Sequence, residues 1–256
     1  MSGALQDLLV NLSSASLAFV AGWSFGRVRD LWRFRDTRGF WKPFTAHDLK
    51  MVTSIFIQEE HYIWERSGLV GVGDVLAIHE LRQQLQRTGV KHLPLTPSHH
   101  LTGLERRANL ILVGGPHSNR VTAEVVQRLP LTYTFGPAEE HDARITDART
   151  GEILSPDITP DNQLAVDLGI LVRAPNPFQP DHHIVILAGS FGFGTSAAAR
   201  LLADPEFLNH PLVSGGSPFE AAFSVEVVGG EPQRIDLKGL RELDTAVRRR
   251  TGRHEG

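Results

Sequence analysis

The chain has 256 residues, a net charge of −3 at pH 7 and no cysteine. This length suits one large domain, or one domain with an appendage. The lack of cysteine excludes disulfide bonds, thiolate catalysis and cysteine-based zinc sites. The weak negative charge gives no indication of nucleic-acid binding. Hydrophobic residues at 41% and charged residues at 21% are ordinary values for a folded globular chain.

Residues 8–26 contain no charged side chain. A helix of this length spans about 28 Å, close to the ~30 Å hydrocarbon core of a bilayer. Six basic residues follow within residues 27–42, whereas Asp7 is the only charged residue before the segment. The positive-inside rule therefore predicts that residues 1–26 form a single-pass helix in the cytoplasmic (inner) membrane, with the N-terminus outside. Its small residues suit self-association into a homo-oligomer. The alternative is a helix packed on the domain or on a partner.

We interpret residues 27–48 as a basic linker, 49–240 as the folded domain and 241–256 as a basic tail. Apolar runs predict strands at residues 51–57, 90–95, 109–113, 168–173 and 183–187. Helical periodicity predicts helices at residues 75–87, 119–129 and 195–202. Hairpins are expected at residues 143–154 and 219–237. The alternation predicts an α/β, Rossmann-like, mostly parallel sheet with helices on both faces and late hairpins.

The strand at 183–187 leads into the glycine-rich sequence AGSFGFGTSA at residues 188–197. Gly192 and Gly194 match the dinucleotide-binding spacing G-x-G-x-x-G/A, because Ala197 takes the third position. The acidic residue expected about 20 residues later, at the end of a following strand, is missing. Helix N-termini offer free N–H groups to an anion, so this loop is a candidate phosphate site.

The same loop has three other interpretations. Gly189 and Gly194 have P-loop spacing, but Thr195 stands in place of the required lysine, which disfavours an ordinary NTPase. Ser190 fits the nucleophile elbow of a hydrolase, although few histidines follow it. The plainest interpretation is that the glycines allow a strand and a helix to pack closely.

Two more glycine turns precede predicted helices, and both are expected at the carboxyl ends of strands, where ligands bind in α/β sheets. Their candidate ligand-binding residues are Gly71, Gly73, Asp74, Gly114, Gly115, His117 and Asn119. Asn119 suits contact with a sugar or base, but it is also a natural helix N-cap. Arg173 and Asn176, in the segment RAPNPF, are expected at the same edge, where Arg173 would neutralise a phosphate.

Catalytic candidates are Glu59, Glu60 and Asp74 as acids or bases, and Ser190 as a nucleophile. The loop after the first strand, which carries the three acids, is where an enzyme that cleaves glycosidic bonds would place its carboxylate. Two histidine pairs occur, at 99–100 and 182–183. Adjacent histidines on an extended chain point in opposite directions, so no metal site is predicted.

The segments GVGD (71–74), GGPHSN (114–119) with Thr122, RAPNPF (173–178) and AGSFGFGT (188–195) with 197–200 resemble a family of uncharacterised actinobacterial proteins. That family pairs an N-terminal membrane anchor with a Rossmann-like domain. The resemblance implies this topology and the placement of the glycine loops, but no activity. More distantly, the layout is similar to nucleotide-sensing domains of bacterial conflict systems, at the level of fold only.

The sequence thus favours a membrane-tethered cytoplasmic domain that binds a nucleotide or a nucleotide-derived ligand as a sensor. No cofactor is identified beyond such a nucleotide. One alternative is a hydrolase of an N-glycosidic or ester bond on the same scaffold. Another is a structural module without a ligand.

Overall fold

The computed structural model describes residues 34–56, 66–137 and 143–244. These ranges contain the helices α1 (Arg35–Trp41), α2 (Val72–Arg87), α3 (Arg120–Val126), α4 (Gly192–Leu201), α5 (Pro205–Asn209) and α6 (Pro211–Ser214). The strands are β1 (Leu49–Thr53), β2 (Leu95–Pro97), β3 (Asn109–Val113), β4 (Tyr133–Phe135), β5 (Ile145–Asp147), β6 (Ile153–Leu154), β7 (Asp157–Ile158), β8 (Leu164–Asn176), β9 (Gln179–Gly189), β10 (Phe219–Val228) and β11 (Glu231–Glu242). Short 3-10 helices occupy Phe44–Ala46 and Glu105–Arg107.

Eight strands form one sheet in the order β11-β10-β8-β9-β3-β1-β2, with β7 paired to β8 beside this path. The pairs β2–β1, β1–β3 and β3–β9 are parallel. The pairs β9–β8, β8–β10, β10–β11 and β7–β8 are antiparallel. The prediction of a Rossmann-like, mostly parallel sheet is therefore wrong. Parallel pairing is confined to one side of a sheet that is mostly antiparallel.

The turn between β8 and β9 explains the error. Asn176 pairs with Gln179, so only Pro177 and Phe178 link the two strands. Such a short link joins antiparallel neighbours, whereas a parallel crossover needs a dozen or more residues. Every residue of β8 from Asp167 to Ala174 is nonetheless buried, so both faces of this part of the strand are covered. The strand therefore shows the continuous apolar run that is typical of a parallel strand.

Both predicted hairpins are present. β10 and β11 pair across Gly229 and Gly230, which have φ angles of 60° and 77°. Two consecutive positive φ values favour glycine and suit a two-residue hairpin turn. β5 and β6 pair in the second, three-stranded sheet, where β4 is the third strand.

The sheet separates two apolar clusters, and consecutive residues of β3 alternate between them: Ile111 and Val113 face one cluster, Leu110 and Leu112 the other. The first cluster also contains residues of α1, α2, α4, α5 and α6. The second contains residues of α3 and of the small sheet. The helices that follow β1 and β3 therefore lie on opposite faces of the main sheet.

The described part of the segment interpreted as a linker, residues 34–48, is folded. Phe40, Trp41 and Phe44 are buried in the first cluster, and Trp41 Nε1 donates to Gln84 Oε1 of α2 at 3.2 Å. These aromatic side chains pack as part of the core.

No helix in the described part of the chain is long and apolar enough to cross a membrane. The apolar helix expected at residues 1–26 lies outside the described residues, as does most of the basic tail. The membrane helix is therefore still a prediction.

Candidate functional site

The carboxyl ends of β1, β3 and β9 meet at one edge of the main sheet, because these three strands are parallel. β1 leads into α2 on one face, and β3 leads into α3 on the other. In α/β sheets, a crevice forms where two neighbouring connections diverge to opposite faces in this way. The glycine turns at 71–74, 114–119 and 189–195 all lie at this edge.

Asp74 is the central carboxylate of the edge and is only 4% exposed. The hydroxyl of Ser54, which follows β1, donates to Asp74 Oδ2, and the hydroxyl of Thr195 in α4 also hydrogen-bonds to this carboxylate. Thr195 Oγ1 in turn accepts from the backbone N–H of Gly189 at 3.1 Å. Burial raises the pKa of Asp74, and the two hydroxyl groups offset part of that rise. These bonds tie together α2, α4 and the ends of β1 and β9.

At the N-terminus of α4, backbone N–H groups donate hydrogen bonds to a side-chain carboxylate of the same chain, that of Asp167. Asp167 Oδ1 accepts from the N–H groups of Leu168 (2.7 Å) and Phe191 (3.0 Å), and its Oδ2 accepts from Gly194 N–H at 2.6 Å. Asp167 is fully buried. Burial raises its pKa to about 6, although the backbone N–H donors act in the opposite direction. Because these amides already have an anionic partner, they are not available to a phosphate.

Sequence analysis did not select Asp167. The available signal was a carboxylate in the apolar strand sequence LAVDLGILV, since an acid there needs a local partner.

Several of the predicted ligand-binding glycines lie where other backbone atoms approach closely. A Cβ on Gly73 would be 1.9 Å from Gly192 O, and one on Gly194 would be 1.9 Å from Leu168 O. A Cβ on Gly189 would be 2.1 Å from Phe191 O. The absence of side chains lets α2, α4 and the ends of β8 and β9 touch through their backbones. A bulky substitution at Gly194 would therefore disturb packing whether or not a ligand binds.

In the turn at 114–119, Gly114 and Asn119 have structural roles. Gly114 has φ +101°, and a Cβ there would be 2.7 Å from Ser54 Cβ. Asn119 caps α3: its Oδ1 accepts from Val121 and Thr122 N–H, and its Nδ2 donates to two backbone carbonyls. Its amide is therefore fully used, which leaves no donor or acceptor for a sugar.

His117 and Gly115 are the less constrained members of this turn. His117 is exposed, with its ring 6.3 Å from that of Phe135. A Cβ on Gly115 would meet its nearest neighbour, Gly189 O, at an ordinary 3.5 Å. The turn also borders an apolar cavity of about 260 Å³ between α3, β4 and the sheet.

Arg173 and Asn176 are not at this edge. Because β8 is antiparallel to β9, its C-terminal end lies at the opposite edge, and the expectation that they join the glycine loops is wrong. Asn176 Nδ2 donates to the carbonyls of Arg106 and Ala108, each at 2.8 Å, and its Oδ1 accepts from Phe178 N–H. This asparagine therefore fastens a loop, and both of its N–H donors are used within the protein.

Ser190, the candidate nucleophile, has a buried hydroxyl oxygen without a hydrogen-bond partner among the described residues. His210 caps α6, whose C-terminal residue Ser214 lines a cavity with Arg173 at the opposite edge. Ser190 and His210 are therefore not brought together as a catalytic pair. Glu59 and Glu60 lie outside the described residues.

A cavity of about 400 Å³ opens between the N-termini of α2 and α4. Its lining combines predicted glycines with residues that sequence analysis missed: Gly71, Val72, Gly73, Ile158, Asn162, Leu164, Phe191, Gly192 and Phe193. Phe191 is 41% exposed there. Ile158, Asn162 and Leu164 come from the β7–β8 turn, which is distant in sequence, and no local pattern could have assigned them to this site.

A comparison with protein-family models found no match, and neither did a comparison with curated proteins. The resemblance to the anchored actinobacterial family therefore stays a prediction.

Proposed function

We propose that this domain binds a nucleotide or nucleotide-derived ligand in the cavity between α2 and α4. The observation that carries the proposal is that two glycine-rich helix N-termini line the same cavity. An exposed aromatic ring, that of Phe191, lines it as well. Apolar walls and a few polar groups that fix orientation are typical of small-molecule sites.

The N-terminus of α2 is the end that supports anion binding. Its N-cap residue, Gly71, has no side chain and so supplies no capping acceptor to the first N–H groups of this 16-residue helix. By contrast, Asp167 occupies the corresponding groups of α4. A negatively charged group near Gly71 and Val72 would also benefit from the helix dipole.

The walls of the cavity favour a ligand with a flat ring and little charge. Phe191, Ile158 and Leu164 offer an aromatic face and apolar contacts. No Lys or Arg is among the described residues that line the cavity. A triphosphate would lack a counter-charge here, so a monophosphate, a cyclic nucleotide or a dinucleotide suits this chemistry better.

One observation favours an enzyme as the second candidate. Asp74 is buried, its pKa is raised, and its Oδ2 is 3.8 Å from the position of a Cβ on Gly71, which lines the cavity. A carboxyl group with a raised pKa is suited to general acid–base catalysis. In that case the bound ligand would be hydrolysed instead of sensed.

The membrane tether is part of the proposal. Residues 1–26 would anchor the domain on the cytoplasmic side, and ligand binding would change how anchored copies associate. This step rests on the apolar segment and its basic flank alone.

We expect a thermal-shift screen of the full-length chain in detergent to identify the ligand, with AMP, cyclic AMP, NAD and ATP as probes. A ligand at 100 times its Kd stabilises by about 2.7 kcal/mol, or about 5–10 °C for a domain of this size. Chromatography of the same samples separates a sensor, which returns the ligand intact, from a hydrolase. If no probe raises the Tm of a cooperatively melting protein, the nucleotide proposal is rejected.

Phe191→Ala should weaken binding of the identified ligand about tenfold, because base–aromatic stacking contributes about 1–3 kcal/mol. The matched control is Leu237→Ala on β11, since Leu237 is 45% exposed, close to the 41% of Phe191, and does not line the cavity. Isothermal titration calorimetry of both variants gives the two Kd values. Equal affinities in Phe191→Ala and Leu237→Ala would place the ligand elsewhere.

A further inference from the structure

Arg173 is a buried cation without an anionic partner. Its side chain extends from β8 into the first apolar cluster, and the residue is 5% exposed. Among the described residues, Arg173 forms no hydrogen bond, and no carboxylate lies within 4 Å of its guanidinium nitrogens. Arg241 and Arg106, two further arginines with limited exposure, each pair with a carboxylate: Asp147 and Glu124.

The contacts that Arg173 does make are aromatic. Its Cζ atom lies 5.2 Å from the ring centroid of Phe40 and 5.9 Å from that of Phe44. These rings hold the guanidinium in place, but they accept no hydrogen bond from its five N–H donors. Burial without a counter-charge lowers the pKa of Arg173 and costs free energy. These donors are therefore open to an acceptor.

A cavity of about 390 Å³ lies where that acceptor would sit. Besides Arg173, its walls include Phe40 and Gly39 of α1, Ser214 of α6, and Gly216, which follows α6. A Cβ on Gly216 would be 3.6 Å from a terminal nitrogen of Arg173, so the guanidinium reaches this wall.

The charges around the cavity leave Arg173 free to bind an anion. Arg35 and Asp36 also line it, and Asp36 accepts hydrogen bonds from Arg35 and from Asn209. The one carboxylate in the described lining is therefore already compensated. On the sheet side, burial lowers the pKa of His183, and the positive charge of the nearby Arg173 lowers it further.

We infer that this cavity is a second ligand site, which takes a small oxyanion, a phosphate or carboxylate group, in a two-pronged bond to Arg173. A planar guanidinium matches both groups through parallel N–H donors. The site lies at the edge opposite to the glycine loops, so it does not depend on the proposed nucleotide function. The phosphate could belong to a soluble molecule or to a lipid headgroup, and the experiment distinguishes the two.

The test uses the full-length chain in detergent, with sodium phosphate and sodium acetate as probes against sodium chloride of equal ionic strength. At about ten times its Kd, a bound anion should raise the Tm by about 3–6 °C. Arg173→Met should abolish this rise while raising the Tm of the anion-free protein, because it removes an unpaired buried charge. The control is Arg234→Met, since Arg234 is exposed on β11 and pairs with Asp236. It should change neither value.

A second pair of variants remains informative if Arg173→Met fails to fold. Gly39 lines the cavity and has open space at its Cβ position, so Gly39→Glu can supply a carboxylate from within. Gly39→Glu should raise the anion-free Tm above that of Gly39→Gln and remove the response to phosphate. The Gln variant has the same shape and helix propensity without the charge, so the difference between the two isolates the bond to Arg173.

Vesicle flotation tests whether the anion is a lipid headgroup, with vesicles of phosphatidylcholine alone and vesicles that also contain phosphatidic acid. Binding that depends on phosphatidic acid and is lost in Arg173→Met identifies a lipid phosphate, whereas a Tm response to phosphate or acetate without this dependence identifies a soluble anion. The inference is overturned if neither phosphate nor acetate raises the Tm and flotation is the same in wild type and Arg173→Met. A lower anion-free Tm in Gly39→Glu than in Gly39→Gln would also overturn it.

Discussion

Replacing Gly73 by alanine should destabilise the domain by about 1–3 kcal/mol. The added Cβ would lie 1.9 Å from Gly192 O and 2.4 Å from Gly192 Cα, and both of these atoms are backbone. No side-chain rotation can relieve such a contact, so α2 and α4 must separate. Overpacking of this kind typically costs about 1–3 kcal/mol, and more where rigid elements meet. Alanine's higher helix propensity offsets only a fraction of that cost, about 1 kcal/mol.

Gly71→Ala is the matched control, two residues earlier in the same turn. The nearest atom to a Cβ there is Asp74 Oδ2 at 3.8 Å, and Gly71 has φ −63°, which any residue adopts. Its cost should stay below about 1 kcal/mol, since it reflects only a poorer N-cap. Urea unfolding gives both values. Equal costs for the two variants would mean that the helices do not meet through Gly73 and Gly192.

The same comparison bears on ligand binding, because Gly73 and Gly192 also line the proposed nucleotide cavity. A loss of binding in Gly73→Ala follows equally from displaced helices and from a blocked site. Phe191→Ala is the better variant for the ligand, since its side chain is partly exposed and can be removed without moving backbone. Where a glycine backbone touches another helix or strand, an added side chain displaces that element, so such a substitution cannot test ligand binding.

The sequence patterns correctly predicted the elements that depend on residues close together in the chain. The strand expected at 109–113 is β3, and the helix expected at 75–87 is α2 without its first turn. Asn119 was recognised as a possible helix cap, and it caps α3. The hairpin at Gly229 and Gly230 follows from glycine's tolerance of positive φ.

Strand direction could not be predicted from such patterns. A strand buried on both faces has the same apolar run whether its neighbours are parallel or antiparallel, and β8 is such a strand. The decisive signal was the short gap between the strands predicted at 168–173 and 183–187, because residues 174–182 are too few for a parallel crossover. That one reversal moves Arg173 and Asn176 to the opposite edge, away from the loops with which they were grouped.

The candidate site was predicted in part for a similar reason. The glycine turns were placed at one edge because consecutive parallel strands end together, and three of them do. The role of Asp167 depends on β8 running beside β9 in the reverse direction, so that its N-terminal half lies under the N-terminus of α4. A cap that is supplied 27 residues earlier in the chain has no local sequence signature.

Removing the carboxylate of Asp167 should have the largest effect of any single substitution at this edge. Asp167→Ala leaves the N–H groups of Leu168, Phe191 and Gly194 without their acceptor; the bonds to Leu168 and Gly194 are buried, and the bond to Phe191 is partly buried. Each unsatisfied buried donor costs about 1–3 kcal/mol, so we expect a total loss of about 3–5 kcal/mol. Chemical denaturation at pH 7 measures this loss, and Asp161→Ala, at an exposed turn, is the control.

The pH dependence provides a separate test of the same carboxyl group. Its pKa is raised by burial to about 6 in the fold, above the ordinary aspartate value of 3.8, so between these values the folded protein holds a proton that the unfolded chain has released. Stability from this group is therefore present at about pH 4 and falls, by up to about 3 kcal/mol, as the pH rises through 6. Asp167→Asn cannot titrate. The stability difference between wild type and Asp167→Asn should accordingly shift by that amount in favour of the variant between pH 4 and 7. Parallel profiles would show instead that the N–H donors outweigh burial and keep Asp167 ionised throughout this range, a permanent anion at the start of α4.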